Sequence, residues 1–139
     1  MLTNSMKQFI LNNLVGRGGS NAGSAYLALS STEPNAEGGG VTEPVGNGYA
    51  RTLIGGYNQP TKMANATVDT TTGVATTTND QEIHFNEATG AWGTLTHFAI
   101  YTSQTGGTAR YVGQLVNAIS PAANNVVIIR VGDITITLQ

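Results

Sequence analysis

Two histidines are the residues whose side-chain types come closest to chemistry in this sequence. His84 and His97 both fall within predicted strands, and Glu82 and Glu87 lie near the first of them. An imidazole beside a carboxylate is suited to bind a metal ion or to act as a general base. The chain has no cysteine, no H-x-H pair and no H-E-x-x-H spacing, so we interpret both histidines as structural.

Other patterns typical of active sites are incomplete. The glycine run in EGGGVTEP, which begins at Glu37, lacks the Gly-Lys-Ser/Thr ending and the strand-to-helix context that phosphate binding requires. The acidic residues do not have the spacing of a calcium-binding loop, and no serine lies in a G-x-S-x-G turn. We therefore expect a protein that is not an enzyme, with no catalytic residues, cofactor or metal ion.

The composition favours one domain with a nearly neutral surface. A chain of 139 residues has the usual length of a single domain, and only 10% of its residues are charged, with a net charge of -2. The few basic residues are scattered, whereas nucleic-acid binding requires them clustered on one face. No apolar run approaches the roughly 20 residues of a membrane span. We expect neither nucleic acid nor a membrane as a partner.

The N-terminal segment predicts one short amphipathic helix over residues 3–15. Leu2, Met6, Phe9, Ile10 and Leu14 fall on one helical stripe, with Asn or Ser available to begin the helix and Gly to end it. Two alternatives follow for this stripe. It packs on the core of its own domain, or it docks on a neighbouring subunit.

From residue 17 onward the pattern changes to a loop, RGGSNAGS, and then to short β-rich runs separated by Gly, Pro and Asn. About eight strands are predicted, which favours an all-β fold, a single jelly-roll-like β-sandwich preceded by the helix. The domain plan is a helix and linker at residues 1–18 and a sandwich at residues 19–139. The predicted strands are YLALS from Tyr26, YARTLI from Tyr49, VATTT from Val74, EIHFN from Glu82, TLTHFAIYT from Thr94, RYVGQLV from Arg110, VVIIRV from Val126 and ITITL from Ile134.

Two hairpins are expected. The strand from Thr94 has apolar residues on both faces, which is typical of a central strand, and TSQTGGTAR returns the chain. Simple alternation puts Leu95 with His97 on one face and Phe98 with Ile100 on the other. At the C-terminus, Gly132-Asp133 predicts a two-residue turn that pairs the last two strands, with Ile134, Ile136 and Leu138 facing the core.

Contact residues are also suggested on the strand from Tyr49. Alternation places Tyr49 and Arg51 on one face, and both residue types are enriched at the energetic centres of interfaces. The alternative is that Tyr49 packs internally and Arg51 holds a loop. The candidate interface residues are Met6, Phe9, Ile10, Leu14, Tyr49 and Arg51.

Several ordered blocks resemble a family of small bacteriophage virion proteins labelled tail-fibre or phage structural proteins. The blocks are YLALSSTEP at residues 26–34, the E-P step at 43–44, GYAR at 48–51, FNEATGAWGTLTHFAIY at 85–101 and GDITITL at 132–138. The resemblance implies a virion location, assembly in the bacterial host cytoplasm and no catalytic residues. No repeat or long shaft is visible, which suits a compact adaptor or a tail-fibre or baseplate-type piece.

The resemblance implies other virion proteins, tail or capsid subunits, and copies of itself as partners. One alternative is a capsid decoration protein, which differs from a tail component in copy number. A second alternative is a carbohydrate-binding module that recognises a host-surface glycan, suggested by Tyr57, Trp92 and Tyr101 as surface aromatic residues.

Overall fold

The chain begins with one helix and continues as short strands that pair into antiparallel sheets. The computed structural model describes residues 1–18 and 23–139. Helix α1 spans Asn4–Leu14. The strands are β1 (Ala25–Ser30), β2 (Thr52–Gly55), β3 (Thr67–Val68), β4 (Ala75–Thr78), β5 (Ile83–His84), β6 (Leu95–Tyr101), β7 (Tyr111–Ile119), β8 (Ile128–Ile129) and β9 (Thr135–Leu138).

The described residues form three sheets, with strand orders β2-β1-β6-β7, β3-β4-β9 and β5-β8. The prediction of an all-β, sandwich-like fold with a single helix is confirmed. Nine strands are present in these residues where about eight were predicted. The difference comes from the threonine-rich segment at residues 66–80, where one strand from Val74 was predicted and both β3 and β4 are found. The predicted loop at 17–24 and the domain boundary at 18/19 include residues 19–22, which lie outside the described residues. Within the described ranges, no helix has the length and apolar character of a membrane span.

The central strands of the four-stranded sheet, β1 and β6, are buried on both faces. One face of β1 and β6 enters the main core through Leu27, Leu29, Phe98 and Ile100. The other face carries a smaller cluster centred on Ala28, Ala99 and Tyr101 and covered by Val41 of the following loop. This arrangement explains why the sequence of β6 is apolar on both sides, as expected for a central strand.

An irregularity in the β6–β7 pairing changes the predicted assignment of the faces of β6. The register of the pair shifts between Leu95 and His97. From His97 to Leu95 the chain moves two residues along β6 but five along β7, from Gln114 to Ile119, so the regular alternation is interrupted here. Leu95 consequently lies in the same core as Phe98 and Ile100, so its predicted placement on the face of His97 is wrong. The predicted long hairpin between β6 and β7 is nevertheless confirmed.

The predicted C-terminal hairpin is wrong. β8 pairs with β5, and β9 pairs with β4, so the last two strands belong to different sheets. A turn is present, in which the Asp133 N–H donates to the Arg130 carbonyl, but Gly132 takes its second central position with φ of 88°. Such a turn does not match the twist of a hairpin and instead carries the chain across to the other sheet. Ile134 and Ile136 are buried as predicted.

Helix α1 is capped at both ends, and one close backbone approach places its C-terminal end against β2. The Thr3 hydroxyl accepts from the Met6 N–H at the start of the helix. At its end, Gly16 adopts φ of 84° and its N–H donates to the Asn13 carbonyl, while the Arg17 N–H donates to the Asn12 carbonyl, which is a Schellman ending. A Cβ on Gly16 would overlap the backbone of Gly55 in β2.

We expect Gly16→Ala to destabilise the fold by more than its backbone angle alone explains. Gly93→Ala is the matched control, because Gly93 also has a positive φ, 78°, but a Cβ added there would have no neighbouring atom within 4 Å. The left-handed conformation costs a non-glycine residue about 1–2 kcal/mol, and both variants bear that cost. Urea unfolding should show a larger loss for Gly16→Ala, and equal losses would contradict a packing role for this glycine.

Candidate functional site

The two histidines do not form a site. His84 lies on the surface, with its Nε2 3.4 Å from Glu82 Oε1, and both side chains are more than half exposed. His97 is half-buried, and its Nδ1 lies 2.8 Å from the hydroxyl of the adjacent Thr96. Within residues 1–18 and 23–139, no group of three or more His, Cys, Asp or Glu side chains is placed to hold a metal ion.

The apolar stripe of α1 points away from the domain. The side chains of Met6, Phe9 and Ile10 are 45%, 53% and 37% exposed, and Leu2, just before the helix, is 44% exposed. Leu14 is half-buried at the edge of the main core. We call Leu2, Met6, Phe9 and Ile10 the outer face of α1. Of the predicted stripe, Leu14 packs on the core of its own domain, as the first alternative expects, whereas Met6, Phe9 and Ile10 stay exposed.

The opposite side of α1 is anchored largely through polar side chains. Lys7 Nζ donates to the Gly73 carbonyl at 2.7 Å, and Gln8 Nε2 donates to the Ala66 carbonyl at 2.7 Å. The Asn12 amide accepts from the Ala66 N–H and donates to the Asn65 side chain. Apart from the buried Leu11, the inward face of the helix within its bounds is thus mainly hydrogen-bonding. This polarity is the reverse of a surface helix that packs through its apolar stripe.

An open groove of about 580 Å³ continues the outer face across the protein. Phe9, Ile10 and Leu14 form one wall, and the ends of β6 and β9 form the other through Ile100 and Leu138. The remaining described lining residues are Leu11 and Asn13 of α1, Gly23 and Ser24 before β1, Thr102 after β6, Arg110 just before β7 and Tyr111 at its start, and Thr137 of β9. The groove and the outer face together present a continuous, mainly apolar surface.

Tyr49 and Arg51 lie in a hydrogen-bonded cluster inside the protein. Arg51 is buried and pairs with both carboxylate oxygens of Glu43, through Nε at 3.0 Å and Nη2 at 2.9 Å. The Tyr49 hydroxyl donates to Glu43 at 2.7 Å and accepts from the Leu29 N–H, where β1 extends past the end of β2. The Arg51 guanidinium also stacks 3.5 Å from the centre of the Tyr101 ring.

This cluster ties two loops to the covered face of the four-stranded sheet. Arg51 Nη1 donates to the carbonyls of Ser103 and Gly106, in the turn between β6 and β7. Glu43 belongs to the loop between β1 and β2, which also places Val41 over this sheet face. One guanidinium therefore holds both loops. The alternation of the predicted strand placed Arg51 on a face with Tyr49 but did not identify Glu43. Glu43 lies six residues before Tyr49 and eight before Arg51, and the chain between them turns instead of forming a regular element.

The cluster also sets the charge state of its members. Burial raises the pKa of the Glu43 carboxyl, but the hydrogen bonds from Arg51 and Tyr49 and the Arg51 charge together lower it below its ordinary value. Burial and the bond to Glu43 raise the pKa of the Tyr49 hydroxyl. At neutral pH the cluster therefore holds an ionised carboxylate, a guanidinium and a neutral phenol.

Two of the three aromatic residues that suggested glycan binding are buried. Trp92 packs edge-on against Tyr49 with ring centres 5.2 Å apart, and its indole N–H donates to the Asn47 carbonyl. Tyr101 lies under Arg51. Their predicted surface location is wrong, because both rings cover the core, whereas Tyr57 is 57% exposed.

We expect Arg51→Ala to destabilise the protein by about 3–5 kcal/mol, because removing one partner leaves Glu43 as an unpaired, partly buried charge. Arg130→Ala, on an exposed turn, is the control and should have little effect. Chemical unfolding measures both. A loss below about 1 kcal/mol for Arg51→Ala, the value of an ordinary surface ion pair, would contradict the central role of this cluster.

Acid should weaken the same cluster. Because the folded-state pKa of Glu43 is below its ordinary value of 4.5, its stabilisation is complete above that pH and is lost as the pH falls through the folded-state value. The difference in unfolding free energy between wild type and Glu43→Gln should therefore be constant near neutrality and shrink below about pH 4.5. A difference that stays the same down to about pH 2 would contradict this assignment.

Comparison with known proteins places the chain in a phage family. A family model described as Podophage GP4 fiber I protein gp80 matches residues 1–137, which is almost the whole chain. No curated protein matches it. The match agrees with the ordered blocks that resemble tail-fibre proteins, and it covers α1, all three sheets and the Arg51 cluster. The chain therefore belongs to the podophage GP4 fiber I protein gp80 family and is a phage virion structural protein of the tail-fibre type.

Proposed function

We propose that this protein is a tail-associated component that attaches to another virion protein through the outer face of α1. The observation that carries the proposal is the reversed polarity of the helix. Its polar side chains bind the body of the protein, while Met6, Phe9 and Ile10 are left to solvent. An exposed apolar face on a firmly anchored helix is the usual form of a docking surface.

The energetics are adequate for attachment within an assembly. Fully burying an exposed large apolar side chain contributes about 1.5–3 kcal/mol, and Met6, Phe9 and Ile10, which are 45%, 53% and 37% exposed, each have roughly half of that left to gain. Part of that gain offsets the loss of translational and rotational freedom on binding. In a particle with several copies, multivalent attachment makes a modest individual contact sufficient.

Family membership favours the tail-associated role over capsid decoration and favours a structural role over catalysis. A copy count on purified particles separates the first two, since a tail carries far fewer positions than a shell. Of the aromatic residues that suggested glycan binding, only Tyr57 remains at the surface. Tyr49 and Arg51 are occupied within the chain, so the proposed contact surface is limited to the helix and its edge.

Replacing the outer face should remove the protein from particles. In phage that carry Met6→Gln, Phe9→Gln and Ile10→Gln together, we expect the number of copies per particle, measured by quantitative mass spectrometry, to fall below a tenth of wild type. The reason is the loss of apolar burial, for which about 1.4 kcal/mol corresponds to a tenfold change in affinity. Glutamine keeps good helix propensity.

Val45→Gln is the matched control, since Val45 is 93% exposed on a loop away from the helix and its replacement should leave incorporation unchanged. Circular dichroism and urea unfolding of the purified variants confirm that each is folded. Normal incorporation of a folded triple variant would overturn the proposal.

A further inference from the structure

We infer that the groove beside α1 receives an apolar segment of a different virion protein and that a carboxylate on this segment pairs with Arg110. The inference rests on the proposed docking through α1 and specifies the chemistry of the partner. Three features support it. They are the apolar walls of the groove, the single charge among its described lining residues, and the scarcity of exposed segments in this chain that combine apolar and acidic residues.

The shape of the groove suits an inserted peptide segment. The ends of β7 and β9 approach each other but are not paired as strands at this point. The Val116 N–H donates to the Asp133 carbonyl at one end, whereas at the other end the Thr137 N–H donates to the Tyr111 hydroxyl. Phe9, Leu138 and Tyr111 line the same groove, so apolar side chains of the helix, β9 and β7 face one space next to the outer face.

Among the described residues that line this groove, Arg110 is the only charged one. Its side chain is exposed, and within residues 1–18 and 23–139 no carboxylate lies within ion-pair distance of it. Residues 19–22 are Gly, Ser, Asn and Ala, so they contain no acidic side chain to serve as its partner. A lone guanidinium at the rim of an apolar groove is complementary to a segment that is apolar and carries Asp or Glu.

A second copy of this chain is a poor source of such a segment. Among the large apolar side chains that are exposed in the described residues, only Val45 and Val131 have an acidic residue within two positions. Glu43, next to Val45, is paired with Arg51, and Asp133, next to Val131, accepts from the Asn117 amide. Glu43 is committed to Arg51 and Asp133 already accepts a hydrogen bond in its own chain, which favours another protein as the source of the segment.

Charge variants of Arg110 test the ion pair in intact particles. We expect Arg110→Glu to dissociate from purified particles at least about tenfold faster than wild type, because attraction becomes repulsion, while Arg110→Lys stays within a few fold. Arg130→Glu, which changes an exposed arginine elsewhere by the same amount of charge, should dissociate like wild type. The release of wild type, but not of Arg110→Leu, should accelerate with rising salt.

Wild-type behaviour of a folded Arg110→Glu variant would overturn the inference. It would leave the docking proposal intact if the triple variant of the outer face is still lost from particles. The two proposals are therefore separable by their own variants.

A photo-crosslinking amino acid at Thr102, an exposed residue that lines the groove, identifies the occupant in assembled particles. We expect a crosslinked peptide from a different virion protein that combines apolar residues with Asp or Glu. Reversing that acidic residue to Lys should restore slow dissociation to Arg110→Glu. A peptide from a second copy of this chain, or one without an acidic residue, would contradict the inference.

Discussion

The close approach of Gly16 to Gly55 is the constraint on which the orientation of α1 depends. No side chain separates the end of the helix from β2, because a Cβ on either glycine would overlap the backbone of the other segment. With Val15 and Leu11 buried just before this contact, the helix has only one rotation about its axis that fits. That rotation turns Lys7 and Gln8 inward and leaves Phe9 and Ile10 outside.

The second constraint is that β1 and β6 of the four-stranded sheet are buried on both faces. Short strands and long loops leave one sheet face without a covering sheet, and the loop that contains Val41 takes that place. Loops lack the regular ladders that hold a sheet layer, so they need side-chain anchors. The Arg51 fork supplies these by binding Glu43 and two carbonyls of the opposite turn at once.

The sequence was informative where local rules decide the outcome. Residues 3–16 carry a periodic stripe and a terminal glycine, Gly16, and α1 is found within one residue of the predicted bounds, although Thr3 caps it where Asn or Ser was expected. It was less informative where distant partners decide: the register shift between Leu95 and His97 and the separation of β8 from β9 depend on which strands meet. The helix stripe was identified correctly, but its exposure depends on Gly16 meeting Gly55, which periodicity does not encode.

The anchoring of α1 has a mechanical consequence for a protein of a phage fibre. The C-terminal end of the helix contacts β2 of the four-stranded sheet. Lys7, Gln8 and Asn12 form hydrogen bonds with backbone atoms before and after β3, a strand of the three-stranded sheet. A pulling force on the helix is therefore divided between both sheets instead of peeling a single edge strand. Tension on the helix would thus be shared by the four-stranded and the three-stranded sheet.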